Sequence, residues 1–138
     1  MLAPILAVRD IDASVEFYVR AFGFHHNWSL PDEANATGFA SVQLGRSEVF
    51  FGMVEGLVAP GEDERRRATG FLLFIDLDKG CGFDIDTLYE RARQAGAVIT
   101  REIADRDWGE RTFHCQDRDG YTLMFAQRCK TAVQAQAA

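Results

Sequence analysis

The stretches DIDASVEFYVRAFGF, residues 10–24, and DIDTLYERARQAGAV, residues 84–98, follow one plan. In the first, Ile11, Val15, Tyr18 and Phe22 recur at helical spacing, Asp10 or Asp12 can cap the start, and Gly23 can end the helix. In the second, Ile85, Leu88, Ala92 and Ala95 form the same stripe between Asp84 or Asp86 and Gly96. The offset between the two Asp-Ile-Asp triplets agrees, to within one residue, with the offset between the two closing glycines. The chain is therefore read as an internal repeat.

One apolar run precedes each helix, Ile5 to Val8 and Phe71 to Leu77, and three candidate strands follow each. In the first half these are 24–30, 38–44 and 47–53; in the second they are 97–103, 111–116 and 121–127. Gly45-Arg46 and Asp119-Gly120 join the last two strands of each half as tight hairpins. Each half spells βαβββ. A ferredoxin-like sandwich accounts for two helices but has too few strands. The expected fold is α+β: a single domain of two βαβββ modules, residues 1–53 and 70–127, forming a half-barrel cup. A charged linker at 54–69 joins them, and a tail at 128–138 frays because it has no apolar period.

With 138 residues the chain can bury a core without disulfides. Its Cys81, Cys115 and Cys129 are odd in number and lack Cys-x-x-Cys spacing, so neither a disulfide framework nor a zinc knuckle is expected. A net charge of −6 argues against a nucleic-acid partner, which requires clustered Lys and Arg, and slightly favours a cationic ligand. The one basic run, Arg65-Arg66-Arg67, directly follows Glu62-Asp63-Glu64 and reads as a solvated loop. The start of the chain has no basic leader and no span long enough for a membrane, so a cytoplasmic location is expected. Asp78-Lys79-Gly80-Cys81-Gly82 lacks the order of a phosphate loop, and no nucleophile triad can be assembled.

With Trp108-Gly109, Arg111, Phe113 and Asp117-Arg118-Asp119-Gly120 near its end, and Asp10, Ser14, Phe17-Tyr18 and Phe22-Gly23-Phe24 near its start, the chain resembles the glyoxalase, bleomycin-resistance and dioxygenase superfamily from residue 3 to 127. It departs from the usual pattern in having Phe22 for Leu and Arg118 for Pro. The resemblance implies the paired-module cup and a chemistry open among plain binding, lyase, isomerase and dioxygenase activity. Metal-using members carry His, Gln or Glu at one inward position on the first and last strands of each module. The matching positions here are Ala3, Phe50, Leu72 and Met124. Zn²⁺, Fe²⁺ and Mn²⁺ need N, O or thiolate donors, and this set offers none. A shift of one residue still brings in no donor, and a shift of two brings in Glu48 alone. The expected member is of the metal-free, bleomycin-resistance-like kind, with no cofactor.

Period-two alternation puts Ala3, Ile5, Ala7, Phe50, Leu72, Phe74 and Met124 on the cup side and Leu6 and Val8 on the helix side. An apolar, aromatic cup suits a small organic ligand, with a homodimer covering the remaining edges. Trp108 stands in a polar loop that, by the resemblance, borders the ligand groove; the other reading is a packing anchor for that loop. Trp28 is read as core or dimer contact. His114 shares its parity with Thr112 and Gln116, as a cup donor or base or as a structural histidine, whereas Cys115 faces the helix as an inert thiol. The expected ligand-binding set is Trp108, Phe50, Met124, Leu72, Phe74 and His114. The leading function is sequestration of a small organic, cationic or aromatic ligand. The alternative is a metal-free lyase or isomerase using His114 or Glu48, or a metal enzyme with displaced ligands.

Overall fold

The computed structural model describes residues 1–52, 57, 59, 70–77 and 81–129. The expected linker at 54–69 and tail at 128–138 fall almost entirely outside the described residues, as do Met53 and residues 78–80. The described elements run β1 (Ile5–Leu6), α1 (Ile11–Phe22), β2 (His25–Pro31), β3 (Thr37–Leu44), β4 (Ser47–Gly52), β5 (Leu73–Asp76), α2 (Ile85–Gln94), β6 (Val98–Asp105), β7 (Glu110–Gln116) and β8 (Thr122–Arg128). They form two four-stranded sheets, β1-β4-β3-β2 (sheet A) and β5-β8-β7-β6 (sheet B). In each, only the first strand pairs in parallel, because the helix carries the chain back over the sheet before the antiparallel meander begins. This is the α+β, twin βαβββ architecture read from the repeat.

Local chemistry accounts for the helix limits. Asp10 accepts the Ala13 N–H at 3.0 Å and Asp84 accepts the Thr87 N–H at 2.8 Å, satisfying a free donor in each first turn. The first helix ends at Gly23, whose φ of 74° suits the left-handed cap. A Cβ at Gly23 would also meet the Phe83 ring at 2.7 Å, so the second module packs directly onto this turn.

Residues on alternate strand positions turn towards the helices and make one core shared by both modules. Tyr18 sits edge-on to Phe22, Phe24 and Phe51, and Phe22 meets Phe125 from the other half at 5.4 Å. A polar cluster fastens this seam. The Tyr18 hydroxyl donates to Asp117 at 2.7 Å, and the Tyr121 hydroxyl donates to the Ala7 carbonyl at 2.8 Å. Asp119 accepts from the Arg9 N–H at 3.1 Å and pairs with the Arg9 guanidinium at 3.0 Å. Burial of these carboxylates without partners would be costly, and Tyr18 and Arg9 of the first module supply partners to Asp117 and Asp119 of the Asp-Arg-Asp-Gly turn.

Two expectations need correction. Ala7 is buried, not on the open side: β1 ends at Leu6, and the next backbone carbonyl receives Tyr121. Arg128 belongs to β8 opposite Glu110, and the Cys129 N–H donates to Gly109 at 3.0 Å, so order continues past Gln127 to Cys129. The strand hydrogen bonds to the β7 end stabilise these residues although no hydrophobic period marks them.

Candidate functional site

With both helices packed on one side of the sheets, the opposite side of each sheet is left open. On sheet A the row Trp28–Ser41–Phe50 crosses three strands, and Phe39 lies diagonally beside it. Phe39 stacks on Trp28 at 5.9 Å and 19° and on Phe50 at 5.6 Å and 27°. Gly52 makes this possible, since a Cβ there would lie 2.5 Å from the Phe39 ring. Next to the rings, Asn27 Nδ2 donates to Ser41 at 3.0 Å, to Gln43 at 3.2 Å and to Glu48 at 3.4 Å. The Ser41 hydroxyl also donates to Glu48 at 2.5 Å.

On sheet B the register aligns Phe74, Met124, His114 and Arg101 across all four strands. Their neighbours Ile75, Leu123, Phe125, Phe113 and Cys115 are buried on the helix side, which fixes the first set on the open side. Cys115 is the inert thiol expected, its pKa pushed up by burial. Arg106 folds over this face, donating to Thr112 Oγ1 at 2.8 Å and to the Glu102 carbonyl at 2.8 Å. Desolvation first, then Arg101 and Arg106, hold the His114 pKa below its ordinary value. Its Nε2 is buried and has no hydrogen-bond partner.

The free edges of β1 and β5 flank a groove of about 430 Å³, lined by Ala3, Glu48, Val49, Leu72 and Phe74 among others. The sequence-derived set thus separates into three places. Phe74, Met124 and His114 share sheet B, with Leu72 just before β5; Phe50 lies on sheet A; Trp108 occupies the β6–β7 loop, half exposed, with its indole N–H on Glu110 at 2.9 Å. Sequence reasoning missed Phe39, Asn27, Ser41 and Arg101. Period two marks Phe39 and Ser41 as partners in parity, but which strand residue each one faces depends on the register. The four positions implied for a metal do not fit one: Ala3, Phe50, Leu72 and Met124 supply no hard donor, and Glu48 is the one carboxylate among the described residues lining the groove. Among the described residues no three His, Cys, Asp or Glu side chains cluster as ligands, and no helix is long and apolar enough to cross a membrane.

Residues 2–125 match the model of the Glyoxalase/Bleomycin resistance protein/Dioxygenase superfamily, and the chain belongs to that superfamily. Solved structures share the fold at low identity. TioX from Micromonospora sp. ML1 is 23% identical with a TM-score of 0.70, over 94% of this chain and 96% of that one. A glyoxalase/bleomycin resistance protein/dioxygenase from Alicyclobacillus acidocaldarius is 18% identical with a TM-score of 0.66, over 95% and 92%. A family enzyme from Burkholderia phytofirmans PsJN is 21% identical with a TM-score of 0.65, over 92% and 97%. The curated proteins contain no match.

Proposed function

We propose that this chain binds and sequesters a small organic ligand on its open sheet faces, without a metal and as a homodimer. The observation that carries the reading is the chemistry of those faces: rings and aliphatic groups with a few oriented polar atoms and, among the described residues, no donor set for a divalent ion. Binding of this kind draws on desolvation and stacking, with Phe50, Leu72, Phe74, Met124 and Trp108 as contacts and His114 as a polar anchor. Ile5, Trp28, Leu30, Leu72 and Phe74 leave much apolar surface in water in a single chain, which favours a second copy closing the groove. Light scattering is expected to give twice the 15.5 kDa chain mass; a monomer at micromolar concentration contradicts the dimer.

The binding itself is tested by thermal shift against glycopeptides, aromatic antibiotics and a methylglyoxal–glutathione adduct. Stabilisation by one class without turnover is expected, since a ligand of the folded state raises the melting temperature by mass action. One observation favours a second reading, a metal-free lyase or isomerase: His114 presents a buried, unpaired ring nitrogen on the open face. Conversion of the glutathione adduct, lost in His114→Gln, would select that reading over sequestration.

A further inference from the structure

From the layout of sheet A we infer a subsite for a planar aromatic cation, with Trp28, Phe39 and Phe50 as the stacking surface and Glu48 as the counter-charge. The inference rests on the ligand-binding reading above and assigns its ligand class. The three ring centroids form a near-regular triangle with sides of 5.9, 5.9 and 5.6 Å, and the rings are inclined to one another by 38° or less, so they present one continuous aromatic surface on the open face. Offset stacking of this sort accepts a further flat ring system.

Glu48 lies two residues from Phe50 on the same strand and face, about 7 Å along it. Its Oε2 is held by Ser41 and Asn27. Among the described residues Oε1 accepts no hydrogen bond, and the carboxylate has no ion-pair partner. Among the described residues the charge is therefore oriented by neutral neighbours and left unneutralised beside an aromatic surface. A neutral ring ligand gains only stacking there, whereas a ring carrying delocalised positive charge gains stacking, attraction to the ring faces and the Glu48 carboxylate together. Sheet B does not offer this combination, because Arg101 and Arg106 flank His114 and repel a cation.

The test is calorimetric titration of the full-length protein with 10-methylacridinium and with uncharged 10-methylacridone, which has nearly the same shape. The cation is expected to bind at least about tenfold more tightly. Glu48→Gln, which keeps an acceptor for Ser41, should remove that preference with little change in melting temperature. Trp28→Leu should weaken both ligands. If Trp28→Leu does not fold, Glu48→Gln decides alone. Equal affinities in the wild type, or a preference retained in Glu48→Gln, overturn the subsite but leave ligand binding in place. Failure of both compounds to bind overturns the subsite and counts against the ligand-binding reading as well.

Discussion

The two modules share a path and almost nothing of their open faces. Sheet A shows a stacked aromatic surface beside a carboxylate, whereas sheet B shows Phe74, Met124 and a histidine between two arginines. Their helix-facing sides are alike: Phe51 and Val49 on one, Phe125 and Leu123 on the other, all almost wholly inaccessible. The repeat is thus kept where it builds the shared core and abandoned where a ligand can reach. That division locates fold in one parity of each strand and function in the other.

The sharpest way to break the comparison uses two neighbours on β4. Phe51 is wholly buried against Tyr18, and Phe51→Ala should cost about 3–5 kcal/mol in urea unfolding, as cavities at large aromatic positions do. Phe50 points to the open side, and Phe50→Ala should cost less than about 1 kcal/mol while weakening ligand binding. Similar losses at both positions would show that sheet A is closed on both sides and that no open face exists.

A smaller effect distinguishes the seam from the faces. Burial foremost, against hydrogen bonds from Tyr18 and the backbone that act oppositely, raises the Asp117 pKa to about 6. Because the folded value exceeds the unfolded one, the fold favours the protonated acid. Stability from this group should rise as pH falls from 7 through 6 and level off near 4, by about 1 kcal/mol between pH 7 and 5. His114, whose pKa is lowered, opposes this trend, so the measurement is the difference between wild type and Asp117→Asn in urea midpoints at pH 7 and 5. A difference that does not change with pH contradicts a buried carboxylate at the module seam.

The smallest effect concerns the loop outside both sheets. With its indole half exposed, Trp108→Ala should shift the melting temperature little and reduce ligand affinity about fivefold, or roughly 1 kcal/mol. Lower stability with unchanged affinity per folded molecule would make Trp108 an anchor of its loop.

Much of this architecture is legible in the sequence because its signals are local. The Asp-Ile-Asp caps, the helical stripes and the Gly45 and Gly120 turns each act over a few residues, and they delimit elements to within about two residues. The alternation of Phe50 with Phe51 and of Met124 with Leu123 also reads directly. What escapes is set by contacts distant in sequence. The stacking of Phe39 needs Gly52, and the Asn27 cluster needs a bulge between His26 and Trp28. Asp117 and Asp119 are legible as a turn, but their pairing with Tyr18 and Arg9 is a product of the module seam. Ala7 departs from the expected parity for a related reason, since period two applies only while β1 lasts.

Native mass spectrometry of EDTA-treated protein titrated with planar aromatic compounds tests metal-free binding most directly. The expected result is a species of twice the 15.5 kDa chain mass that takes up the organic compound and carries no Zn, Fe, Mn or Ni. A protein that stays empty after EDTA and binds only when one of those metals is restored contradicts it.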